Sequence, residues 1–165
     1  AQNDEGFAVG LNQACDEMAV DETGATLLEY LGDTAGHVQR TRWTPAGSQR
    51  DLAFQDDAPR SPVTAQQGAL CLLEALLLGQ DEEAVACLSQ PLREALSAEQ
   101  LREYLGPFTG IVASTTAREQ TETQVCWATL RPTTPGVQEA RSIIFEMVFE
   151  TGDEGGWRVD NMLFE

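Results

Sequence analysis

The chain has 165 residues, 42% of them apolar, enough for one ordinary domain with its own core or one domain and a small appendage. It carries 27 acidic residues against 10 arginines and no lysine, a formal net charge of −17. That excludes Schiff-base, phosphate-loop and lysine-assisted serine chemistry, and it opposes nucleic acid and anionic membranes as partners, since both need clustered positive charge.

The first sixty residues read as short strands and loops. Apolar alternation and β-branched residues predict strands over 6–11, 26–31, 37–43 and 51–54, separated by Gly24, the run Gly32 to Gly36, and the turn Pro45 to Gly47. Residues 27–31 fit a helical turn equally well, and residues 12–20 fit a short helix, because short apolar runs do not separate the two periods. Residues 37–43 have the composition of an exposed strand. His37, Arg40, Arg42 and Trp43 form the one locally basic, aromatic patch, suited to an anionic ligand or acidic partner, or to keeping a strand edge soluble. Asp16, Glu17, Asp21 and Glu22 precede Gly24 without the alternating acid spacing of a calcium loop, so they read as a solvated acidic face.

Residues 56–62 combine two prolines with charge and lack apolar periodicity, which marks a linker and divides the chain into 1–60 and 61–165. Beyond it Thr64 caps a helix with Ala69, Leu72, Leu73, Leu76 and Leu77 on one side, and Gly79 stops it. Asp81 opens a second helix with Glu82 and Glu83 in its first turn and Val85, Cys87 and Leu88 towards the core, its length limited by Pro91. Ser97 and Gln100 match a capping box for a third, carrying Leu101, Tyr104 and Leu105 before Gly106 and Pro107.

From Gly110 the period changes to two. Strands are predicted over 111–119, 121–131, 142–150 and 157–164, with a turn over 132–136. Ile143, Phe145, Met147 and Phe149 share one face of the third of these, and Trp157, Val159 and Leu163 point inward from the last. The fold class is therefore α+β: short helices packed on a curved antiparallel meander, preceded by a small, mostly β segment.

Three helices followed by a meander that ends in Gly155, Gly156, Trp157, Arg158, Val159, Asp160, Asn161 and Met162 resemble the nuclear transport factor 2-like, cystatin-like superfamily, as found in small exported bacterial proteins. The resemblance covers about residues 64–165. It implies a cone-shaped space between helices and sheet, in which catalytic members use an acid or histidine as base beside a tyrosine or second acid. Tyr104, Asp160 and Glu146 are the parts available here, for an isomerase, dehydratase or cyclase. Strand alternation turns Asp160 and Glu146 towards solvent, however, and a register shift of one residue would bring Asp160 inside. Trp127, Phe145 and Trp157, with Tyr104, are the candidate walls of an apolar ligand pocket, or simply core filling.

His37 is the single histidine, and no nucleophile–base or metal-binding motif occurs, so no metal or other cofactor is expected. Cys15, Cys71, Cys87 and Cys126 lack zinc spacing. They suit either buried thiols or a disulfide, most naturally between Cys71 and Cys87 or from either to Cys126.

The longest apolar run, residues 69–78, contains Glu74 and is too short to span a membrane, which takes about 20 residues. A start with neither methionine nor a basic, apolar leader suits the mature part of an exported protein, secreted or lipid-anchored at a bacterial surface; a trimmed cytoplasmic protein would look the same. The expected function is a non-catalytic binding or accessory module for a small ligand or protein partner, with a homodimer through Ile144, Val148 and Met162 on the outer sheet face as a further option.

Overall fold

Asp21 closes a tight turn by accepting hydrogen bonds on one carboxylate oxygen from the backbone N–H groups of Thr23 and Gly24, the usual way a short acidic side chain fixes a reversal. That turn joins β1 (Glu17–Asp21) to β2 (Gly24–Tyr30). The computed structural model describes residues 15–119, 123–132, 140–153 and 155–164, with the side chains of 113–119, 123–124, 127 and 132 outside that description. The predicted strand over 6–11 and the first residues of the 12–20 helix lie outside the described residues. Residues 17–20 belong to β1, because the turn at Asp21 sets an antiparallel partner directly after them. Residues 27–31, read as strand or helical turn, are strand as far as Tyr30.

β3 (His37–Thr44) and β4 (Gly47–Phe54) complete a four-stranded antiparallel sheet in the order β1-β2-β3-β4. β3 is thus an inner strand and not the exposed one its composition suggested: His37, Val38 and Thr41 are buried. Gly24 is required where it stands, since a Cβ there would lie 2.0 Å from the Trp43 carbonyl oxygen across the sheet. A single 3-10 turn, Gln55–Asp57, follows β4, and the chain divides into two compact units, Ala1–Arg60 and Ser61–Glu165.

In the second unit Thr64 and Gln67 form a capping box at the start of α1 (Ala65–Leu77). The helix buries Ala69, Leu72, Leu73 and Leu76, while Leu77, assigned to the same face, is 39% exposed. Each fully buried leucine contributes roughly 1.5–3 kcal/mol by leaving water. Gly68 lets α1 lie against the last strand: a Cβ there would meet the Trp157 carbonyl oxygen at 2.6 Å and the Met147 methyl at 2.8 Å. α2 (Asp81–Ala86) comes next, and then a helix absent from the sequence reading, α3 (Gln90–Ala95). Pro91 starts α3 rather than merely ending its predecessor, since proline suits the first helical turn where its missing N–H costs nothing. α4 (Ala98–Leu105) has the expected capping box between Ser97 and Gln100.

β5 (Phe108–Glu119), β6 (Thr123–Pro132), β7 (Arg141–Glu150) and β8 (Gly156–Phe164) form a second antiparallel sheet, a meander in sequence order. β5 starts earlier than expected, at Phe108, and pairs with β6 through three register shifts. Residues 133–136 of the expected turn lie outside the described residues, as do 121 and 122. Short helices with antiparallel sheets give the α+β class. The helices and the second sheet enclose a core in which Leu72, Leu73, Leu101, Ile143, Phe145 and Met147 are wholly inaccessible to solvent. Phe149 leaves that pattern at 49% exposure, beyond the end of the core.

Candidate functional site

The meander contains a bulge that decides which residues face inward at the end of the chain. Glu146 pairs with Asn161 and the next residue, Met147, pairs with Val159, so Asp160 has no partner of its own. A bulge sets two residues of one strand against one of the other and restores alternation one position later. Asp160 and Asn161 are therefore both exposed, Met162 turns into the core at 8% exposure, and Leu163, expected inward, is 46% exposed. Met162 accordingly leaves the outer dimer face proposed from sequence, on which Ile144 and Val148 remain half-buried.

Beside Met162 lies a pocket of about 240 Å³, lined by Leu92, Leu96, Gln100, Leu101, Tyr104, Asn161 and Met162. α4 brings Leu101 into the core and carries Tyr104 one turn on, 46% exposed rather than facing the core with Leu101 and Leu105. The Tyr104 hydroxyl donates to the Met162 carbonyl at 2.7 Å, and its ring leans on Phe164 with centroids 5.3 Å apart. Arg141 sits over Phe164 at 5.8 Å and donates to the Pro107 carbonyl. α3 supplies Leu92 and Leu96. Its first turn is held by Glu150 of β7, which accepts from the Gln90 backbone N–H at 2.7 Å and from Arg93 at 3.0 Å.

Several polar groups of this pocket are engaged within the protein. Gln100 accepts from the Ser97 N–H through its side-chain oxygen, and Asn161 donates to Glu146 while accepting from the Met162 N–H. What the pocket presents to a visitor is mainly leucine, methionine and aromatic surface. Its volume falls below the roughly 300–1,000 Å³ usual for small-molecule sites, room for one short apolar group.

The residues singled out from sequence are not brought together. Phe145 is sealed in the core, Trp157 is half-buried at the opposite end of β8 with Phe149 edge-on to it at 5.6 Å, and Asp160 faces outward. The Trp127 side chain lies outside the described residues. Among the described side chains of the proposed ligand set, Tyr104 alone lines the pocket. Leu92 and Leu96 were missed; their i, i+4 spacing after Ser89, Gln90 and Pro91 was the available signal.

The basic patch of the first unit also separates. His37 is buried, its ring nitrogen Nδ1 and backbone N–H both bound to Asp33 and its ring 4.6 Å from Phe54. Arg42 reaches Asp21 at 2.7 Å and holds that carboxyl well below the usual range, and the hydrogen bond from Arg40 lowers that of Asp51. Trp43 is half-buried, and its indole N–H has no partner among the described residues. All four cysteines are free thiols, with Cys71 and Cys126 buried and Cys87 pushed up to about 12 by burial. Among the described residues no group of three His, Cys, Asp or Glu side chains is placed to hold a metal ion, and no helix is long and apolar enough to cross a membrane. Comparison with family models, curated proteins and solved structures finds no match to this chain.

Proposed function

We propose that the second unit, Ser61–Glu165, is a nuclear transport factor 2-like domain that binds a small apolar group without transforming it, in the pocket between α3, α4 and β8. The observation that carries this reading is the state of the two candidate catalytic groups. The Tyr104 hydroxyl donates its hydrogen bond to a backbone carbonyl, and the bulge keeps the Asp160 carboxylate exposed on the other side of its strand. An acid and an electrophile working on one substrate atom must converge within hydrogen-bond reach of it. The interior that would serve as the reaction cone is filled by Phe145, Met147 and the leucines of α1 and α4. The order of helices followed by a four-strand meander supports the superfamily reading.

Methyl-resolved NMR of leucine- and methionine-labelled protein during titration with n-hexanol tests this. The expected shifts fall on Leu92, Leu96, Leu101 and Met162. Shifts centred instead on the Phe145 side of the sheet would place the ligand in the cone and favour an isomerase, dehydratase or cyclase.

The module's proposed place is outside the cytoplasm, secreted or lipid-anchored at a bacterial surface. Its acidic, lysine-free composition supports that, and free thiols at Cys71, Cys87 and Cys126 leave the fold independent of an oxidising compartment. Fractionation of the producing cell, with the protein found only in the cytoplasm, would refute it.

A further inference from the structure

The lining of the pocket between α3, α4 and β8 includes two side-chain amides, Gln100 and Asn161, and both are held in one orientation. Gln100 turns its oxygen to the Ser97 N–H at 2.9 Å, as the capping box of α4 requires, and Asn161 turns its own to the Met162 N–H at 2.9 Å. A backbone N–H can only donate, so it is the oxygen of each amide that is held and the nitrogen that is left over. Asn161 spends one N–H on Glu146 at 3.1 Å. Its second N–H and both of Gln100 have no protein partner among the described residues, whereas the Tyr104 hydroxyl already donates to Met162. What the polar lining has left to offer is chiefly donors, and donors select a ligand that accepts.

Charge decides which kind of acceptor. Glu99 and Glu103 stand beside Gln100 and Tyr104 along α4, Glu146 accepts from Asn161, and all three acids are exposed. The arginines of α3 and α4 are spent on acids of their own, Arg93 on Glu150 and Arg102 on Asp81. Arg141 stands over Phe164, which is not among the lining residues. A carboxylate or phosphate arriving here meets charge of its own sign, and a neutral carbonyl oxygen does not.

We infer that the pocket, on the reading above that it binds an apolar group, takes that group with a neutral carbonyl attached. The ligand class is a short-chain ketone, ester or amide, whose alkyl end fills the apolar space and whose oxygen accepts from the amide N–H groups of the lining. An alkanol meets the same donors less well, because its own proton then faces oxygens that are already engaged. A fatty carboxylate has the right shape and the wrong charge.

Titration of the full chain at pH 7 with 2-heptanone, 2-heptanol and hexanoate, read from the Leu96 and Met162 methyl signals, tests this. The probes share one pentyl tail and differ only in the head: ketone, alcohol or carboxylate. 2-Heptanone is expected to bind about threefold tighter than 2-heptanol and about tenfold or more tighter than hexanoate. Gln100→Glu keeps an oxygen for the Ser97 N–H, and with it the capping box, but has no N–H to donate. It should remove the ketone's advantage over the alcohol, a ratio that a general loss of stability does not move. Equal affinity for ketone and alcohol in the wild type, or hexanoate binding as tightly as either, would overturn the inference while leaving the apolar pocket standing. Shifts at neither methyl with any of the probes would overturn the apolar pocket and this inference together.

Discussion

The Tyr104 hydroxyl donates to the Met162 carbonyl across 2.7 Å, tying the last turn of α4 to the last strand beside the apolar pocket. A part-buried hydrogen bond of this kind contributes about 1 kcal/mol net. Tyr104→Phe keeps the ring against Phe164 and should lower unfolding free energy by about that amount in urea, with hexanol still shifting the Leu92 and Leu96 methyls.

Glu150 fixes α3, a six-residue helix that could not persist alone, by accepting from the Gln90 N–H and from Arg93. Glu150→Ala leaves an N-terminal amide without its partner and should cost about 1–2 kcal/mol. A double-mutant cycle with Arg93→Ala would assign only a minor part of that loss to the ion pair, which is partly exposed.

Gly68 sits where α1 crosses β8, and an added methyl would press on the Trp157 carbonyl oxygen. Gly68→Ala gains helix propensity yet should lower stability by about 1–3 kcal/mol, because backbone at that distance cannot yield without moving the helix. A rise in melting temperature on this substitution would show that α1 and β8 are farther apart than described.

Burial holds the Cys87 thiol protonated, from an ordinary 9.0 up to about 12. Cys15 is exposed, whereas Cys71 and Cys126 are buried. At pH 8 the native protein should therefore release one equivalent of thiol rapidly to a disulfide reagent and the remainder only in denaturant. For stability, the native state keeps its Cys87 proton through a range in which the unfolded chain has lost it. Stability from this group is complete below pH 9 and falls as pH rises from there towards 12, by up to about 1.4 kcal/mol per unit. A flat urea midpoint between pH 9 and 11 would contradict the burial of Cys87.

Most of the second unit was legible in the sequence because each signal was local. Thr64 as a cap and the Ser97–Gln100 capping box announce their helices locally, and the alternation through Ile143, Phe145 and Met147 announces β7. The misreadings share another cause. The bulge at Asp160 depends on which residue of β7 each residue of β8 faces, and nothing within β8 encodes it. A strict alternation therefore sent Leu163 inward and Met162 outward. Pro91 was read as an ending because a proline punctuates in both directions, and with α3 unseen the pocket lost Leu92 and Leu96. In the first unit, the arginines of β3 suggested an edge; β4, with its own charges at Arg50 and Asp51, lies outside it.

The central claim is that this pocket binds without chemistry from Tyr104 and Asp160, and the most direct test is hexanol affinity of the wild type against the Tyr104→Phe, Asp160→Asn double variant, read from the Leu96 and Met162 methyl shifts. Affinities within about threefold of each other are predicted, since neither the phenolic proton nor the Asp160 carboxylate faces the ligand. A loss of about tenfold or more would mean that the two groups act together on the ligand, and would contradict the account.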